Sequence, residues 1–436
     1  MFKTLKEAWL NKEIRKKIFI VIGLVLLFRL GCWIPVPGID SSVFSSQVNA
    51  EGQTFLQLLS GVTGGALSNG AILALGVSPY ITAQIVVQLL SFAIPSWEKL
   101  TKQGEEGRKK LTKYTKILTL ILALAQAIGI VVSFSKASPS GINSELFFGI
   151  EWLTCVEVVV VLTAGALFTL WLGEQITATG IANGLSLIIF IGILSSAGTA
   201  LATTIKDATT NIDAIWKIIG FVAAVIIIFG MIVMMDQAER KIPVQYAKQI
   251  KGRKMYGGQS TYIPVKMMGT GVLPIIFALS LLSFPQIVMS IFWPNSSAAI
   301  WYAKYMGVGT WPYIVISCVL ILFFAYFTSM MTFKPDDISK QIQSNGGFIP
   351  GIRPGRTTTE YLERINKRIT FFGALFLAFL TVVPSLIFKA INPDEVNSLI
   401  SAFSATGMII IVSVTLEIDK QLQAQLLMKN YKGFLK

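Results

Sequence analysis

Apolar residues in this chain fall in long blocks, separated alternately by short polar stretches and by long basic ones. The blocks run to about 20 residues, the length an α-helix needs to cross roughly 30 Å of hydrocarbon. About ten can be drawn, near residues 18–33, 76–94, 117–134, 156–172, 182–200, 215–235, 271–287, 313–333, 369–387 and 402–416. The ten-residue alternating segments of a transmembrane β-barrel are not seen. The pattern predicts an all-α membrane protein of about ten transmembrane helices. Ten divides into five plus five, as in channel and transporter folds built from two inverted halves.

Lys and Arg sit on alternate connections. One set holds Lys3, Lys6, Lys12, Arg15, Lys16 and Lys17 at the N-terminus, Lys99 to Lys116 between blocks two and three, Arg240 to Lys266 between six and seven, and Lys334 to Arg368 between eight and nine. The opposite connections hold only Lys136, Lys206, Lys217, Lys304 and Lys389. Both termini and the basic loops are therefore expected in the cytoplasm. The net charge of +14 belongs to this asymmetry, so no direct nucleic-acid function is expected. Residues 1–17 read as an amphipathic interfacial helix kept in the mature protein, and residues 420–436 as a cytoplasmic tail.

Composition agrees. Hydrophobic residues make up 53% of the chain and charged residues 14%, with a mean hydropathy of +0.66. A soluble domain carries about 25% charged residues. There is no histidine, which removes His-based catalysis and His-ligated metals. Cys32, Cys155 and Cys318 have neither disulfide nor metal spacing. A phosphate-binding loop and a dinucleotide fingerprint are both missing, so no enzymatic activity and no cofactor are expected. The charges inside blocks are few: Arg29 and Glu157, both near outer ends and expected to snorkel to the interface. An ion-coupled transporter carries charges near the midplane, so that class is disfavoured.

Two features depart from plain spans. Residues 35–75 contain IPVPGID and then TFLQLLSGVTGGALSNGAILAL, apolar but interrupted by Gly61, Gly64, Gly65 and Gly70. Such a piece is either a surface re-entrant loop or a movable element in a pore, since broken helix at membrane depth needs a protein-lined cavity. Residues 237–266 and 334–368 form long basic loops that read either as solvated positive-inside links, which charge alone favours, or as docking surfaces for a cytoplasmic partner, which their length favours.

Several long segments, in order, resemble the SecY family, the channel subunits of the bacterial Sec protein translocase. They are FRLGCWIPVPGID (28–40), GGALSNGAILALGVSPYITAQIVVQLL (64–90), LTKYTK (111–116), LWLGEQITATGIANGLSLIIF (170–190), YAKQIKGRKMYGGQSTYIPVKMMGTGVLPIIFA (246–278) and GGFIPGIRPGRTT (346–358). The resemblance implies an N-terminal half (18–210) and a C-terminal half (211–419) around a central pore. Unfolded secretory polypeptides with signal sequences would cross through the pore, and membrane segments would leave sideways between spans two and seven.

The resemblance further assigns an aliphatic pore ring to Val77, Ile81, Leu185, Ile189, Ile276 and Ile410, the last within TGMIIIVSVTLEID. It assigns a plug to about residues 54–75, including Leu58, Leu59, Gly64, Gly65, Ala66 and Leu67. Thr82, Gln88 and Phe284 would line the lateral gate, while Arg253, Lys254 and Arg353 would dock partners. Implied partners are SecE and SecG in the lipid bilayer, and the SecA motor ATPase and the ribosome at the basic loops. Two other classes fit the hydropathy alone: a small-solute secondary transporter, and a pure scaffold or insertase without a continuous pore.

Overall fold

The structure is a computed structural model that describes residues 2–37, 45, 60–137, 151–208, 212–246, 249–251, 254–256, 260–269, 271, 273–292, 296–306, 310–391 and 405–433. Leu58, Leu59 and Arg253, the rest of the plug stretch before residue 60, and the start of the tenth block lie outside the described residues.

The helices are α1 (Phe2–Leu10), α2 (Lys12–Gly31), α3 (Ser78–Ala93), α4 (Pro95–Lys102), α5 (Glu105–Ala137), α6 (Glu151–Ala178), α7 (Gly184–Ala208) and α8 (Ile212–Gln237). After a set of strands come α9 (Leu273–Phe292), α10 (Ser297–Tyr305), α11 (Trp311–Thr332), α12 (Pro335–Ser344), α13 (Arg356–Ile391) and α14 (Ala405–Gly433). By length and composition, six spans qualify among the described residues: Glu105–Val132, Trp152–Ala178, Gly184–Ala202, Ile219–Gln237, Trp311–Ser344 and Arg356–Val383. The bent pair Ser78–Ala93 and Pro95–Thr101 makes a seventh. The remaining expected spans coincide with α2, α9 and α14.

Helix ends follow local chemistry. Asn11 separates α1 from α2, and its side-chain oxygen accepts from the Glu13 N–H at 3.2 Å, so the expected helix over 1–17 is instead two pieces. Lys12, Arg15, Lys16 and Lys17 thus form the basic first turns of α2. Pro79 begins α3 where its missing N–H costs nothing. Ile94 is extended, as the residue before Pro95 must be, and the chain bends by 107° into α4.

The helices are apolar on outward as well as inward faces. Leu26, Ile121, Val160, Ile226, Val315 and Phe372 are exposed, while Phe28, Ala123, Leu162, Ile228, Ile321 and Ala374 on the same helices are buried. That is the signature of helices surrounded by lipid. One interior cluster joins α2, α6, α7 and α14, and a second joins α3, α7, α8, α9, α11, α13 and α14.

The two long basic loops are not loops. Residues 237–266 fold into an antiparallel hairpin, β1 (Glu239–Tyr246) with β4 (Ser260–Lys266), from the pair Glu239↔Lys266 to Gln245↔Ser260. A smaller ladder, β2 (Gln249–Lys251) with β3 (Lys254–Tyr256), lies between them in sequence. Residues 334–368 comprise α12, the short strand β5 (Gly347–Phe348) and the first turns of α13. β5 pairs with β1 through Gln245↔Phe348 and Tyr246↔Gly347, joining the two loops in one sheet. Ile242 and Val244 alternate inward along β1 and pack with Val265, Ile342, Leu362 and Ile365 in a core of their own. The expected tail also continues as helix, with α14 running through Gly433 and packing on α1, α7 and α8.

Candidate functional site

Five of the six residues assigned to the pore ring converge. Val77, Ile189 and Ile410 are buried in one cluster, with Ile81 and Leu185 packed against it. They arrive on three helices: Val77 and Ile81 one turn apart at the head of α3, Leu185 and Ile189 one turn apart at the head of α7, and Ile410 on α14. Ile276 of α9 packs in the adjoining cluster, which Ile81 also touches. Glycine makes the approach possible. A Cβ on Gly184 would collide with the Gly173 carbonyl, and one on Gly173 would collide with the Leu185 side chain. The side chains of these two clusters are aliphatic and aromatic, with Cys32, Met268 and Met408 among them.

The described part of the expected plug folds inward against this cluster. Residues 60–63 form one helical turn, and Gly64 and Gly65, with φ of 71° and 84°, end it. Ala66, Leu67 and Leu73 follow fully or nearly buried. The segment is tied to the chain leaving α2, where the Val36 N–H donates to the Gly70 carbonyl at 2.8 Å and the Ile72 N–H to the Ile34 carbonyl at 3.0 Å. The segment is thus a broken helix packed in the protein interior rather than on its surface.

Arg29 does not snorkel. Its guanidinium turns inward and donates to the Gly64 carbonyl at 3.3 Å and to Ser195 Oγ of α7 at 2.5 Å. Ser196 donates to the Gly61 carbonyl at 3.0 Å. Glu157 is also only half exposed, and one of its carboxylate oxygens is buried without a hydrogen-bond partner among the described residues. Tertiary hydrogen bonds from two elements thus hold the Arg29 guanidinium in the protein interior. Arg29 could have been singled out from sequence, since an ionisable residue in a span is a functional candidate by default. Nothing in the sequence signals Ser195 or Ser196.

Of the expected gate residues, Thr82 is half buried and donates to its own helix at the Ser78 carbonyl, 3.1 Å away. Gln88 is half buried on α3, and Phe284 lies on α9. The contact that bridges this side was not foreseen: Phe92 of α3 meets Phe327 of α11.

On the basic face, Arg353 is exposed in a turn that is held from below. Thr358 Oγ1 donates to the Arg353 carbonyl at 2.9 Å, and Ser339 Oγ donates to the Gly355 carbonyl at 3.0 Å. Lys254 lies on β3. Near the base of the hairpin, burial first, and then the hydrogen bond and charge of Lys420, hold the Lys266 ammonium below the usual lysine range, with Asp236 and Glu239 opposing. Lys420 lies 3.8 Å from Asp236.

Fold and interior together define a polytopic α-helical membrane protein with an inner apolar cluster against which a broken helix packs. A family model described as SecY matches residues 71–418, and the chain belongs to that family. It is 39% identical over 443 residues, covering all of both chains, to a protein translocase subunit SecY of Streptomyces galbus. It is 38% identical over 444 residues, again covering all of both chains, to one of Halalkalibacterium halodurans. Solved structures share its fold. A protein conducting channel matches with a TM-score of 0.67 at 20% identity, over 93% of this chain and 90% of that one. A channel whose plug domain stabilises the closed state matches at 0.61 and 19% identity, over 94% and 91%. Sec61 in a canine ribosome-channel complex matches at 0.59 and 18%, over 93% and 90%.

Proposed function

We propose that this chain is the pore-forming subunit of a protein translocation channel in the bacterial cytoplasmic membrane, with both termini and the sheet-bearing loops in the cytoplasm. The observation that carries this reading is the convergence of Val77, Ile81, Leu185, Ile189 and Ile410 from three helices in one aliphatic cluster shared with Ala66 and Leu73 of the broken segment. A narrow aliphatic neck dewets, so hydrated ions do not cross. The same side chains hold no fixed donors or acceptors, so they close around an extended polypeptide of any sequence. Residues 60–75 act as the described part of the plug.

The two halves, 18–210 and 211–419, part along the line of α3 against α9 and α11, with Thr82, Gln88 and Phe284 beside the opening. A hydrophobic segment then sorts itself into lipid, each buried CH₂ contributing about 0.8 kcal/mol. Arg253, Lys254 and Arg353 dock cytoplasmic partners, the SecA motor and the ribosome, through paired contacts to carboxylate or phosphate. SecE and SecG complete the membrane complex. The energy comes from the motor or ribosome, and the chain itself does no covalent chemistry.

The test is transport. The chain, purified with its membrane subunits and reconstituted in proteoliposomes, should admit an unfolded precursor when motor and ATP are supplied. A complex that assembles and binds the motor but protects no precursor from protease would overturn the reading.

A further inference from the structure

The turn at residues 60–63 closes on itself only in part: the Gly65 N–H donates to the Ser60 carbonyl at 2.8 Å and the Gly64 N–H to the Gly61 carbonyl at 3.4 Å, which leaves acceptor capacity at its C-terminal end. Further donors come from the surrounding wall. The Gly61 carbonyl accepts from Ser196 Oγ at 3.0 Å, the Thr63 carbonyl from Cys32 Sγ at 3.8 Å, and the Gly64 carbonyl from Arg29 at 3.3 Å. The Val62 carbonyl is seated against Gly192, where a Cβ would strike it. Four consecutive carbonyls of one short segment are thus received by α2, by Cys32 at its C-terminal end, and by α7. Arg29 adds a cation at the negative end of the turn and, through Ser195, fastens the same point to α7.

Among the described residues the partners of Arg29 are neutral. A guanidinium fixed for structure alone pairs best with a carboxylate in a bidentate fork. Arg29 instead spreads its donors over a backbone carbonyl and a hydroxyl that belong to two different elements. Water can replace both acceptors without leaving a carboxylate stranded. Such contacts hold a segment in place and release it when the space floods.

We propose that Arg29, Ser195 and Ser196 are positioning residues that latch the plug segment over the pore ring, and that their release precedes plug displacement. This rests on the reading of residues 60–75 as a plug.

Single-channel and bulk ion conductance of the purified complex in planar bilayers tests both claims apart. The variants compared are Arg29→Gln, Arg29→Lys, the pair Ser195→Ala with Ser196→Ala, and deletion of residues 60–70 alone and together with Arg29→Gln. Loss of a hydrogen bond to a charged donor should raise the open fraction about tenfold for Arg29→Gln. The serine pair should raise it by a smaller factor, and Arg29→Lys should fall between wild type and Arg29→Gln. Added to the deletion, Arg29→Gln should change nothing, because the latch acts only through the segment it holds. If the deletion itself leaves conductance unchanged, the plug reading fails. If the deletion raises conductance while Arg29→Gln and the serine pair do not, the plug stands and the latch is overturned. A rise caused by Arg29→Gln on the deletion background also overturns the latch, since Arg29 then shapes the wall instead. Should Arg29→Gln fail to assemble, the serine pair decides alone.

Discussion

Phe92 near the end of α3 meets Phe327 of α11 edge to ring, with centroids 5.2 Å apart and planes at 79°. In the proposed division into halves 18–210 and 211–419, α3 falls in the first and α11 in the second, so this pair would span the line along which the channel opens. An edge-to-face aromatic pair is worth about 0.5–1.5 kcal/mol beyond the area it buries. Phe92→Ala and Phe327→Ala should each ease opening and increase export of a precursor with a weakened signal sequence by about two- to tenfold. The double variant should do little more than either single one. Unchanged export of such precursors by both variants would remove the pair from the gate.

The proposed aliphatic neck makes a sharper electrical prediction. Ile81→Asn or Ile189→Asn should let water and ions persist at the constriction and raise conductance through the purified complex in planar bilayers. Ile81→Leu and Ile189→Val should leave the barrier intact. Equal conductance across all four variants would sink the ring assignment.

Arg353 predicts a loss without unfolding. Its side chain is exposed, while the turn that carries it is held through the Thr358 and Ser339 hydroxyls. Arg353→Glu should abolish motor-driven precursor transport and leave thermal stability unchanged. Thr358→Val removes the bond to the Arg353 carbonyl, and it should lower transport partially by loosening the turn. Normal transport by Arg353→Glu would dismiss the docking role.

A crosslink tests the gate directly. Thr82→Cys with Phe284→Cys should form a disulfide that blocks transport and that reductant reverses. Failure to join under oxidant, in a complex that is otherwise active, would place the two helices too far apart for a shared gate.

Two glycines on α7 separate packing from helix propensity. Gly184→Ala drives a methyl into the Gly173 carbonyl, whereas a Cβ on Gly198 meets open space. Overpacking of this kind costs about 1–3 kcal/mol. Gly184→Ala should lower the melting temperature of the complex in detergent by several degrees, and Gly198→Ala should hold or raise it slightly. Similar melting curves for the two would mean that α6 can move aside from α7 freely.

The helices were legible because a bilayer forces them. Each backbone polar group must be satisfied within its own segment, so apolar length alone marks a span. Local chemistry at the ends was equally legible, as Pro79 at the head of α3 and Pro95 at its bend show. Legibility failed where the partner lies far along the chain. Residues 237–266 carry Pro243 and Pro264 and read as irregular, yet Ile242 and Val244 alternate inward once a second segment supplies the opposite wall. β5 is two residues long and has no strand signal of its own, since its pairing with β1 is entirely tertiary.

What the sequence determined by itself was the class of molecule: a chain too apolar for water, with spans of bilayer length, one-sided positive charge and a glycine-broken outer helix. Those properties are local sums over neighbouring residues, and solvent alone reads them. Which aliphatic residues face one another, where Phe92 finds Phe327, and that Arg29 turns inward to the Gly64 carbonyl were decided only by the tertiary structure. An apolar helix presents similar side chains all round, so its own pattern does not choose an inner face. That choice comes from close approaches such as Gly173 to Leu185 and Gly192 to Val62, which exist only when distant segments meet.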